Sequence, residues 1–322
     1  LPKNNKQAVP IRTGKLIREL FRVMLPVALG SFVTNLTSLI DLCTMMHCFD
    51  TLQQTKLDAL LQKFGDIAAD AAFPALVYGA FSGMALTVFN LVPSVTNMFG
   101  KSVLPCAAQA WAKQQKNAVV KQLQSVLFIT TLLALPSAGG LFLLAEPIMQ
   151  LLYSGQETAC AIAAESLRAL LPGMFFLCLT MPLFSILQGI GRADLPVKYM
   201  LPCVAVKLIG NVVFLQIPAC SLVGAGIATS LCYALLFGMA LHGLQRLLGQ
   251  PLHWLKPLLP LGYAAAMSLV TACLCRNLTQ TLPLPIMLLT SVGSAVLMYG
   301  IVLLLLEKTA NRLKDGLCFR VY

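Results

Sequence analysis

Charge is scarce in this chain of 322 residues: Asp, Glu, Lys and Arg together make up 11% of it. Histidine is rarer still. The three present, His47, His242 and His253, lie far apart and match no metal-ligand spacing. With so few acids and imidazoles, no Ser–His–Asp set is recognisable, and no Walker-type glycine loop occurs. These gaps argue against an enzyme, and neither a cofactor nor a metal site is expected.

Other absences narrow the class further. The 11 cysteines are scattered, mostly inside apolar stretches, and no CxxC occurs; Cys273 and Cys275 are separated by one residue. They read as small buried apolar residues, not as a disulfide framework. No basic stripe carries interleaved aromatics, so the net charge of +11 does not point to nucleic acid. The chain starts at Leu1 without Met, and residues 1–20 are polar and basic with no signal-peptide pattern. The expectation is a linker that follows an upstream segment, making the sequence a fragment.

What the chain has in abundance is hydrophobic residues, 58% of the total, with a mean hydropathy of +0.80. They form near-continuous runs, each sufficient for the roughly 20 helical residues that cross a hydrocarbon core. In lipid every backbone amide must pair within its own segment or within a closed barrel. The runs do not alternate residue by residue, which excludes a barrel. The fold class is therefore an all-α membrane protein, with eight spans expected at 21–46, 71–98, 122–144, 159–188, 198–217, 221–245, 257–275 and 282–306. This divides the chain into a cytoplasmic linker (1–20), six helices (21–245), a loop (246–256), two further helices (257–306) and a tail (307–322). The last two spans are the most uniformly apolar, as lipid-facing additions to a core of six would be.

Charge sets the orientation. The linker, the loops near 99–121, 189–197 and 246–256, and the tail fall on one side and, counting Arg22 and Lys198 at its boundary, hold 18 of the 23 Lys and Arg residues. The opposite loops carry only Lys56, Lys63 and Arg276, against six carboxylates. By the positive-inside rule both termini are cytoplasmic, with the basic loops against an anionic leaflet. Between spans, Leu57, Leu60, Leu61 and Phe64 predict a short outer amphipathic helix. Residues 102–118 predict an inner one with Trp111 at the interface. Residues 145–155 read as a tight outer connection, and 188–196, with its two glycines, as an inner turn.

Polar groups inside spans are costly, so their placement is informative. Ser31, Thr34, Ser38 and Asp41 recur at spacings of three and four in the first span; Thr87, Asn90, Ser94 and Asn97 do so in the second. Each set forms a stripe along one helix face. Two such stripes either line a water-filled cavity or hydrogen-bond across a helix interface. Lys207 lies mid-span with Asn211 one turn further on. It is a contact for an anionic substrate group, a salt-bridge partner of Asp41, or a snorkelling side chain. Asp41 is a candidate proton or cation site. Glu165 and Arg168, three apart, are expected to form a structural pair.

Three stretches carry a family resemblance: LPVALGSFVTNLTSLID (25–41), VYGAFSGMALTVFNLVPSVTNMFGKSVLPCAAQAWAK (77–113) and LQGIGRADLPVKYMLPCVAVKLIGNVVFLQIPACSLVGAGIATSL (187–231). Together they resemble the multidrug/oligosaccharidyl-lipid/polysaccharide (MOP) flippase superfamily. The second stretch is similar to the branch of stage V sporulation protein B and polysaccharide-biosynthesis proteins. The resemblance implies the second lobe of a two-lobed transporter plus two carboxy-terminal helices, with the first lobe upstream. It also implies movement of undecaprenyl-pyrophosphate-linked sugars across a bacterial cytoplasmic membrane by alternating access. Residues 77–97 lack the arginine that lipid-II flippases of the Gram-negative type carry in this span, which leaves Lys207 or the upstream lobe to meet the pyrophosphate. Two other functions compete: a cation-coupled multidrug antiporter on the same fold, driven by H+ or Na+, and a non-transporting scaffold for cell-wall or sporulation enzymes.

Overall fold

The computed structural model describes the backbone over residues 13–217, 221–250, 258–279 and 281–318, and side chains within these except 13–27, 29–31, 34, 221–222, 258 and 307–318. Every regular element described is helical. Among the described residues six helices are long and apolar enough to cross a membrane: α6 (Lys116–Leu152), α7 (Glu157–Gly189), α8 (Asp194–Leu215), α9 (Ser221–Leu248), α10 (Leu258–Leu278) and α11 (Leu284–Cys318). The first expected span lies inside α1 (Thr13–Thr55), a helix of 43 residues. This helix already includes Thr13 to Leu20 of the expected linker, and α11 takes in most of the expected tail. Residues 1–12, 319–322 and most of the 246–256 loop lie outside the described residues.

The second expected span is corrected most. Instead of one helix over 71–98, the chain forms α3 (Phe73–Gly79), a π-helical turn (Ala80–Ala85), a short α4 (Leu86–Phe89), a break at Asn90, and α5 (Leu91–Ala112). Pro93 explains the break, because its ring has no N–H to donate and clashes with the carbonyl four residues back, that of Phe89. Helix α5 also absorbs the expected inner amphipathic helix; the real turn comes at 113–115, where Gln114 takes φ 59°. The outer helix α2 (Leu57–Phe64) forms as its apolar spacing demands, with Leu60 fully buried.

Helix α7 is the axis. It is apolar all round, as a helix enclosed by protein must be, and α5, α6 and α9 pack around it. Small residues set the crossing with α9: a Cβ on Gly226 would lie 2.5 Å from Ala169 Cβ. At that crossing Ser230 Oγ accepts from Gly173 N–H at 3.0 Å and donates to the Ala169 carbonyl at 2.9 Å, inserting into the helical ladder just after Pro172.

Helices α10 and α11 pack on each other and on α6, and their outward side chains, such as Leu278, Leu289 and Leu297, are highly exposed. Such a surface is stable only against lipid. Their docking is written into α6. Pro136 and Pro147 each leave a carbonyl four residues back without its helical donor. Those carbonyls, Leu132 and Leu143, accept from Tyr299 Oη at 2.9 Å and Arg276 Nη1 at 3.0 Å.

Candidate functional site

Helix α1 packs along α8, whereas α4 and α5 pack on α7. The space left between these two walls holds a cavity in two neighbouring parts. The first, of about 240 Å³, is lined by Ser38 and Asp41 from α1 and by Thr87 and Asn90 from the broken helix, together with Tyr78 and Ser82. The second, of about 270 Å³, is lined by Asn90, Ser94, Asn97 and Lys207, over a floor that includes Phe184 and Tyr233. Asn90, at the helix break, borders both. Ser38 and Asp41 thus face Thr87 and Asn90 across open space. Ser31 and Thr34 lie on α1 with side chains outside those described.

Lining the cavity does not mean that every polar group is free. Thr87 Oγ1 donates to the Gly83 carbonyl at 2.6 Å and Ser94 Oγ to that of Asn90 at 2.6 Å, the back-bonding usual for hydroxyls in membrane helices. Ser38, Asn90 and Asn97 have no side-chain partner among the described residues, and all three reach the cavity.

Behind this surface lies a buried cluster joining α1 to α8. Lys207 Nζ donates to Asp41 Oδ2 at 2.7 Å, and Asn211 Nδ2 donates to Asp41 Oδ1 at 2.9 Å and to Thr44 Oγ1 at 3.0 Å. The side chains of Lys207 and Asp41 are 5% and 4% exposed, so neither charge is met by bulk solvent. Of the three arrangements open to Lys207 from sequence, the salt bridge is the one formed. Asn211 is fully buried and does not line the cavity.

The expected Glu165–Arg168 pair is replaced. Glu165 instead takes Lys63 of α2 at 3.3 Å, and Arg168 takes Glu146 of α6 at 3.8 Å. Both residues sit in the amino-terminal third of α7, where long side chains reach neighbouring helices; a pair three residues apart on one helix has only a few tenths of a kcal/mol, about 0.2–0.5, to hold it. Sequence reasoning missed Thr44, although it continues the α1 stripe three residues beyond Asp41. It also missed Tyr233, which stacks on Phe89 at 6.1 Å and 20°. An aromatic inside an apolar span gives no signal that separates cavity from core.

A third cavity is apolar. It measures about 480 Å³ and lies between α6, α10 and α11, and it is also bordered by Leu91 and Val92 at the start of α5. The polar cavity and the apolar slot therefore flank the same turn, residues 90–92.

The long apolar helices define a multi-pass helical membrane protein. A family model described as MatE matches residues 80–213. The chain is 28% identical over 137 residues to sporulation protein YkvU of Bacillus subtilis (strain 168), a match covering 42% of this chain and 30% of that protein. Its fold is similar to that of the lipid II flippase MurJ in an inward closed conformation, with TM-score 0.62 and 16% identity, over 92% of this chain and 56% of that one. It is also similar to an outward-facing multidrug-resistance MATE family transporter, with TM-score 0.52 and 16% identity, over 86% of this chain and 62% of that one. The chain spans just over half of the flippase structure, and its match covers less than a third of the sporulation protein.

Proposed function

We propose that this chain is the lobe at 21–245, with two added helices at 257–306, of a flippase for lipid-linked cell-wall or polysaccharide precursors, in the sporulation-protein branch of the superfamily. One observation carries the reading: a polar cavity and an apolar slot lie on either side of residues 90–92. An amphiphile crossing a bilayer needs both at once, a hydrated path for its head and an apolar path for its chain. Exposed polar groups on α1 and α4–α5 support a second lobe facing the cavity across its open side. The charge asymmetry of the loops supports a bacterial cytoplasmic membrane with both termini inside.

The multidrug reading draws support from the MatE match. It needs an acid free to meet a cationic drug, and Asp41, the only carboxylate among the lining residues, is held by Lys207 and Asn211. Reconstitution of the whole protein separates the two. Vesicles containing it should translocate labelled undecaprenyl-pyrophosphate-linked sugar faster than protein-free vesicles, and a sodium or proton gradient should drive no dye efflux. Dye movement without movement of the lipid-linked sugar would reverse the assignment.

A further inference from the structure

We infer that the cavity of this lobe binds the uncharged, hydroxyl-rich glycan part of the substrate, and that Asp41 and Lys207 are there to neutralise one another, not to hold a charged group. The inference rests on the flippase reading above and specifies what the lobe recognises.

Asp41 and Lys207 are the only acidic or basic side chains among the described residues lining either part of the polar cavity. They are in contact at 2.7 Å, and the second carboxylate oxygen is taken by Asn211. Lys207 has three donors, but its charge is already balanced by Asp41; for a phosphate to take over that charge it must draw Lys207 away and strand a buried carboxylate. Breaking one side of a buried pair costs enough to lower affinity by roughly a hundredfold or more. Among the described lining residues no second cation is present to offset that loss.

What it does offer suits a sugar. The side-chain amides of Asn90 and Asn97 and the hydroxyl of Ser38 reach the cavity with no partner among the described residues. Each amide presents two donors and a carbonyl acceptor. Sugar hydroxyls both donate and accept, so they satisfy every one of these positions, whereas a pyrophosphate only accepts and leaves the amide carbonyls unmet. Tyr233, held flat by its stack on Phe89, lines the same space as Phe184. Aromatic surface beside amide groups matches a pyranose, which has an apolar C–H face and a polar rim.

The test uses the whole protein in lipid nanodiscs, with chitotriose as the neutral glycan probe and inorganic pyrophosphate as the charged one, followed by saturation-transfer NMR and calorimetry. Chitotriose should bind, and pyrophosphate at equal concentration should not displace it. Asn90→Leu combined with Asn97→Leu should weaken chitotriose binding roughly tenfold or more. The neutral pair Asp41→Asn with Lys207→Met should change it by less than roughly threefold. If that pair fails to fold, the reversed pair Asp41→Lys with Lys207→Asp serves in its place. Absence of chitotriose binding overturns the inference, as does displacement by pyrophosphate that is lost in the pair variant. Chitotriose binding as described, in a protein that moves no lipid-linked sugar in vesicles, would leave the glycan site standing and remove only the flippase reading.

Discussion

Asp41 and Lys207 are separated by 166 positions in sequence and 2.7 Å in space. Each was legible as a costly charge inside an apolar run, and their pairing was one of the alternatives the cost implied. What no local pattern could give is the fourfold cluster, because Asn211 and Thr44 join it through the packing of α1 on α8. Removing either charge alone leaves the other buried and unmatched. Asp41→Ala or Lys207→Ala should therefore lower unfolding stability by about 3–5 kcal/mol, and Asp41→Asn with Lys207→Met should recover most of it. Thermal unfolding in detergent reads this directly; single losses that simply add in the double variant would count against the pair. The outer residues teach the opposite lesson. Glu165 and Arg168 are exposed enough to choose among neighbours, and tertiary reach outweighs a weak local pairing.

At the level of the helix, the long apolar runs were readable because lipid enforces them, and the interruptions were not. The π-helical turn at Ala80–Ala85 sits in the run GAFSGMALTVF, whose hydropathy is that of any span. Pro93 was the one visible cue to the break at Asn90. Helix α6 shows how such cues become tertiary contacts. Its prolines free the Leu132 and Leu143 carbonyls, and α11 and α10 supply the donors. Tyr299→Phe or Arg276→Met should leave α6 intact but strand a carbonyl, weakening the docking by about 1–3 kcal/mol. Faster hydrogen exchange in α10 and α11, with α7 unchanged, is the expected signature. Ser230→Ala should act likewise at the α7–α9 crossing, with faster exchange around Gly173 because its N–H and the Ala169 carbonyl lose their bridge.

For the whole molecule, membrane class follows from the arrangement of apolar residues, and the basic loops predict an orientation, without reference to any contact. A cysteine placed at Lys56 should be labelled by an impermeant maleimide from outside intact cells, and one placed at Lys113 only after permeabilisation. The cavity is different in kind. Each polar stripe was visible alone, yet whether the two formed an aqueous space or a packed interface depended on α1 choosing α8 and α5 choosing α7. Solvent access is therefore the most direct test of the account. In a background cleared of native cysteines, Ser94→Cys and Asn97→Cys should react with impermeant maleimide many times faster than Leu289→Cys on the outer face of α11. Equal, slow labelling at all three positions would mean that the stripes face lipid or packed protein, and the cavity on which the proposed function depends would not exist.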